Sequence, residues 1–143
     1  MKRILLSLLC LLALTGVLAA RNSAPLAAEI PFPFFVGDER MQAGDYSFVF
    51  DQNNYMVLIR AQEPRRGVFV SSFPAAAPEN GERSLVVFTK YGDGRYFLRQ
   101  VVHAGDPTAC ETSKSKTERE SVTSSLHAGN RPAEVVIVAK AAE

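Results

Sequence analysis

From Glu29 to His103 the chain is cut every five to nine residues by Gly, Pro, Asn or Asp, and the pieces between are rich in Val, Phe, Tyr, Ile and Leu. Pieces that short suit strands, whereas an isolated helix of the same length is marginal in water. The first piece, Glu29 to Val36, carries Pro31 and Pro33, which lack a backbone donor and place it at an edge or with one side unpaired. Tyr46 to Phe50 alternates, with Tyr46, Phe48 and Phe50 on one face and Ser47 and Val49 on the other. Asp51 to Asn54 is a turn, because Asp and Asn side chains bond the following backbone. Tyr55 to Arg60 is apolar on both faces and reads as a doubly covered strand. Pro64 to Gly67 turns the chain into a fourth strand, Val68 to Phe73. The connection Pro74 to Arg83 has Asn80-Gly81 near its tip, a pair suited to a type I′ turn.

Leu85 to Tyr91 and Tyr96 to His103 flank Gly92-Asp93-Gly94 and form the clearest hairpin. Val86 and Phe88 oppose Leu85, Val87 and Thr89; in the partner, Phe97, Arg99 and Val101 oppose Tyr96, Leu98, Gln100 and Val102. From Thr108 the composition turns to Ser, Thr, Lys and Glu, a polar insertion over about 108–130. Ser115 and Glu118 have the spacing of a capping box, Val122 and Leu126 make a thin apolar stripe, and Gly129 is a C-terminal stop. Glu134 to Lys140 returns as a last strand. The expectation is an all-β domain: a single antiparallel barrel or sandwich of about seven strands with one short helix in the C-terminal half.

The start has a different character. Lys2 and Arg3 precede an apolar run from Ile4 to Leu14, and small residues follow to Ala19-Ala20, the order of a secretory signal peptide over residues 1–20. Cleavage is expected after Ala20 or Ala19, with Ala27-Ala28 as the second choice. Cys10 follows Leu9 where a lipidation site needs a small residue, so lipidation is not expected. The mature part, 21–143, then keeps one thiol, Cys110, and cannot form an internal disulfide. Lys+Arg is 16 against Asp+Glu 15 over the full 143 residues. Losing Lys2 and Arg3 leaves 14 against 15, a net charge of −1, so no basic excess draws the domain to nucleic acid or anionic lipid. Hydrophobic residues at 47% make a globular core and argue against disorder. Export, periplasmic or extracellular, follows from the leader, with no stable membrane insertion once it is removed.

The opening Ile30-Pro31-Phe32-Pro33-Phe34, with Val36-Gly37 and Ala43-Gly44-Asp45-Tyr46, is the first of three blocks that recur in one family. The second comprises Leu85 to Phe88 and Lys90 to Asp93, followed by Arg95 to Leu98; the third is Ser115 with Glu118-Arg119-Glu120. In their order these blocks resemble a family of small exported β-rich proteins common in acidobacterial genomes. The resemblance covers roughly 28–120, with Gly94 as an extra residue at the hairpin tip. It implies export and a β fold, and it brings no catalytic residue with it.

His103 and His127 are the only histidines, and neither has a nucleophile-elbow or metal-ligand spacing. No cofactor and no metal are expected. Arg95 and Arg99 alternate with Phe97 and, with Tyr91 and Tyr96, form a basic-aromatic stripe suited to an anionic ligand; Tyr46 and Tyr55 could join the tyrosines around a barrel mouth. The function expected is that of an exported, non-enzymatic domain acting by binding or as a structural component, with a protein or polysaccharide partner. Two alternatives differ in class: a small barrel carrying an apolar ligand, and an enzyme using Cys110 with His103 as its base.

Overall fold

A computed structural model describes residues 24–51, 53–78 and 82–142. The leader 1–20 and the Asn80-Gly81 turn lie outside the described residues. Ten strands and one helix follow in order: β1 Leu26–Ile30, β2 Phe34–Val36, β3 Glu39–Met41, β4 Gly44–Asp51, β5 Met56–Ala61, β6 Arg66–Ala76, β7 Ser84–Lys90, β8 Tyr96–Val102, β9 Thr108–Thr112, α1 Lys116–His127 and β10 Ala133–Ala141. Eight of the strands close a barrel in the order β8-β7-β10-β1-β4-β5-β6-β9, and β9 pairs back onto β8. All eight joins are antiparallel. The architecture is therefore a barrel and not a sandwich, which the spacing of strands alone could not decide.

Alternation explains how it closes. Ile30, Phe48, Val57, Ile59, Val86, Phe88 and Val101, none more than 1% exposed, belong to one continuous cluster inside the barrel, joined by Leu26, Ala28 and Leu98. An eight-stranded barrel is just wide enough for its own side chains to fill it, and this one is filled. Burying a Phe or Ile fully contributes about 1.5–3 kcal/mol, so this cluster is where the barrel's stability resides.

The first predicted strand is two strands. Pro31 and Pro33 interrupt the ladder, so β1 enters the barrel while β2 leaves it and pairs with β3. β2 touches β8 by a single parallel pairing, Phe35 with Phe97, whose rings stack at 5.0 Å. Phe32, between the prolines, and Phe34, just after them, plug one end of the barrel. Phe32 stacks on Tyr96 at 4.0 Å, and Phe34 sits edge-on to both Tyr46 and Phe88, at 5.0 and 5.1 Å.

Three further expectations are corrected. β5 is covered on one side only: Val57 and Ile59 point inward, while Met56 and Leu58 sit half-buried on the outer wall. The strict alternation of β8 fails because Val87 pairs with Gln100 but Phe88 with Leu98, leaving Arg99 as the extra residue of a bulge. Leu98 and Val101 consequently share the inner side, and Thr112 Oγ1 lies 2.6 Å from the Leu98 carbonyl and 3.2 Å from that of Arg99. Finally, the polar insertion begins with a barrel strand: Thr108–Thr112 is β9, the strand that closes the ring.

The helix is where Ser115 and Gly129 put it. Ser115 accepts from the Glu118 backbone N–H at 3.1 Å, and Gly129 follows the cap with φ of +69°. Its buried face differs from the expected stripe. Leu126 is 71% exposed, and the residues turned to the barrel are Glu118, Ser121 and Ser125. Glu118 does not return to Ser115; it accepts from Tyr91 Oη at 2.8 Å. Ser125 Oγ accepts from the Gly92 N–H at 2.9 Å, and Asp38 from that of Thr117 at 2.9 Å. Polar contacts pin α1 to the outer wall.

Candidate functional site

At the end opposite the plug, the described residues leave a depression of about 330 Å³, lined by Phe50, Tyr55, Pro74, His103, Asp106 and the β9 residues Thr108 to Cys110. β9 delivers Cys110 to the inside of the barrel, opposite Pro74 of β6 and Val101 of β8. The thiol is buried, and burial, with a smaller contribution from the Asp106 charge, raises its pKa to about 11. At neutral pH it is therefore the weakly nucleophilic thiol and not the thiolate. His103 also borders this depression, but its Nε2 lies 3.2 Å from the Ala24 carbonyl. With Cys110 in this state, iodoacetamide at pH 8 should label the native chain at least about 100-fold more slowly than the urea-unfolded chain, followed by intact mass.

The basic-aromatic stripe is not assembled as a stripe. Arg95 precedes β8 and pairs with Asp93 at 3.4 Å; Arg99, in the bulge, pairs with Glu134 at 3.3 Å. Tyr96 stacks on Phe32 at the plugged end, with Lys90 Nζ 5.2 Å from its ring centre. Tyr91 lies outside the barrel wall beneath α1, where its ring meets Phe97 edge-on at 5.6 Å. Tyr46 donates to the Gln42 carbonyl at the plugged end, whereas Tyr55, 52% exposed, stands at the opposite end. The tyrosines therefore occupy different places and line no common mouth.

Tyr91 and Glu118 form a buried pair. Burial is the largest influence on both and pushes both pKa values up; for Tyr91 the Glu118 carboxylate adds to it, and for Glu118 the Tyr91 hydrogen bond, with Lys114 and Arg99, opposes it. A carboxyl raised in the folded state stabilises the fold below its unfolded pKa, and that contribution is lost as pH rises through the folded value. The melting temperature should accordingly fall as pH climbs above the ordinary glutamate range. Glu118→Gln, which can still accept from Tyr91, should flatten that part of the profile in a thermal scan across pH.

A second depression, about 430 Å³, lies on the outer wall beside the β5–β6 turn, toward the plugged end. Adjacent strands pair Ser47 with Arg60 and Arg60 with Gly67, and the turn before β6 adds Gln62 and Arg65. Arg66 at its border is held by Glu39. Among the described residues no carboxylate lies within ion-pair distance of Arg60 or Arg65. The sequence gives no hint of this cluster beyond the Arg65-Arg66 doublet, because Arg60 joins it only through the β5–β6 register. Among the described residues no group of three or more His, Cys, Asp or Glu could hold a metal ion, and no helix is long and apolar enough to cross a membrane. No family model, no curated protein and no solved structure matches the chain.

Proposed function

We propose that the chain is an exported, non-enzymatic β-barrel domain that acts by binding, in the periplasm or outside the cell, through its outer surface. The observation that carries this is the filled interior. Phe34, Phe48, Phe88, Ile30, Ile59 and Val57 occupy the space a carrier barrel keeps for its ligand. A carried apolar molecule would be confined to the depression opposite the plug. The protonated state of Cys110 supports a non-enzymatic reading over a thiol-dependent one.

Export rests on the leader sequence, and the fold bears on where the leader ends. Cleavage after Ala20 leaves β1 whole, whereas cleavage after Ala28 removes Leu26 and Ala28 from the core and strips the strand of its pairing with β10. N-terminal sequencing of material recovered outside the cytoplasm should begin at Arg21 or next to it. Full-length chain retained in the cytoplasm contradicts export. Native mass spectrometry of the recovered protein should give the bare chain mass; a co-purifying lipid would favour the carrier.

A further inference from the structure

The outer face of β4, β5 and β6 sets two arginines beside an exposed aromatic ring. Its outward residues form rows across three strands: Ser47, Arg60 and Gly67, then Val49, Leu58 and Phe69. The first row leads into the depression with Arg65, and its two unpaired guanidinium groups present planar forks of donors matched to carboxylate or sulfate. In the second row Phe69 is 63% exposed, a large apolar ring left in water beside half-buried Leu58 and Val49. Phe69 is diagonal to Arg60 across the β5–β6 pair, within reach of one bound molecule. Gly67 keeps the floor low, since even a Cβ there would come within 3.3 Å of Leu58 Cδ1.

We propose that this face binds an acidic polysaccharide, with its anionic groups on Arg60 and Arg65 and the apolar side of a sugar ring on Phe69. The proposal rests on the binding-domain reading and names its partner. Charge complementarity selects the occupant: Arg60 and Arg65 line one depression, and among the described residues neither has a carboxylate within ion-pair distance. The arginines elsewhere on the hairpin, Arg95 and Arg99, are already met by Asp93 and Glu134. Asp45, the acidic residue nearest along β4, lines a neighbouring depression with Glu29 and Lys140, and Gln62 borders both depressions. An anion alone would need only the guanidinium groups; the exposed ring alongside calls for a ligand that is charged and flat-faced together.

The test is affinity electrophoresis and calorimetry of the purified full chain against polygalacturonate and heparin, with neutral dextran, poly-glutamate and anionic phospholipid vesicles beside them. Binding to one or both acidic polysaccharides and not to dextran is expected. It should weaken about ten-fold or more in Arg60→Ser/Arg65→Ser and about five-fold in Phe69→Ala, with Arg95→Ser within about two-fold of the parent. All three sites are exposed, and unchanged thermal melts confirm folding. Absence of polysaccharide binding, equal loss in Arg95→Ser, or tighter binding to poly-glutamate or vesicles overturns the proposal. The binding-domain reading fails separately, if native mass spectrometry finds an apolar ligand seated in the chain.

Discussion

Phe88→Ala should lower stability by about 3–5 kcal/mol in urea unfolding, enough to leave a domain of this size partly unfolded at 37 °C. Phe88 is completely buried and stands where the plug meets the barrel, edge-on to Phe32 at 5.3 Å and Phe34 at 5.1 Å. Truncating it removes the transfer free energy of a whole ring, leaves a cavity between β7 and the plug, and forfeits two aromatic contacts. Phe69→Ala makes the same chemical change on the outer wall and should cost no more than about 0.5 kcal/mol. A small loss in Phe88→Ala, comparable to that of Phe69→Ala, would mean the interior is not the packed core described.

Removing residues 133–143 should abolish the fold outright. β10 is the last strand in the chain, yet it stands in the middle of the wall, paired with β7 from Ala133 to Ala139 and with β1 at Lys140 and Ala141. Without it the ring opens, β1 and β7 present unpaired edges, and Val135, Ile137 and Ala139 leave the core. Neither edge can pair with the other across the missing strand, because neighbouring strands must approach to about 4.8 Å. The truncated chain should be aggregated or unfolded by size-exclusion chromatography and circular dichroism. A soluble, cooperatively melting product would show that the last strand is an appendage.

Local chemistry was legible and long-range order was not. The Asp51 turn forms as expected, with Oδ1 accepting from the Asn53 and Asn54 backbone at 3.0 and 3.3 Å. The β7–β8 hairpin and the shared face of Tyr46 and Phe48 in β4 also follow from local pattern, since each is decided within a few residues, whereas β7 is buried on both faces and alternation does not separate them. β9 carries no strand signal because Thr108-Ala-Cys-Glu-Thr has little apolar content of its own; its partners β6 and β8 hold it in place. Arg99 obeyed the alternating pattern in sequence, and only the register against β7 shows it bulged. On α1 hydrophobic spacing selects Val122 and Leu126, while the fold uses hydrogen bonds from Tyr91 and Gly92 to the other face. The candidate site suffered most. Its arginines and Phe69 come from two strands and a turn, and nothing short of the register places them together.

Closure into a self-filled ring is the claim on which the surface reading depends, and cross-strand NMR contacts at two of the ring's seams test it directly. Backbone contacts should appear between Val101 and Cys110, joining β8 to β9, and between Ala27 and Lys140, joining β1 to β10. Both sets together, in a protein free of ligand and crosslink, are the expected result. If either seam gives no contact while the β4–β5 and β7–β8 hairpins remain visible, the sheet is open and the barrel described here is contradicted.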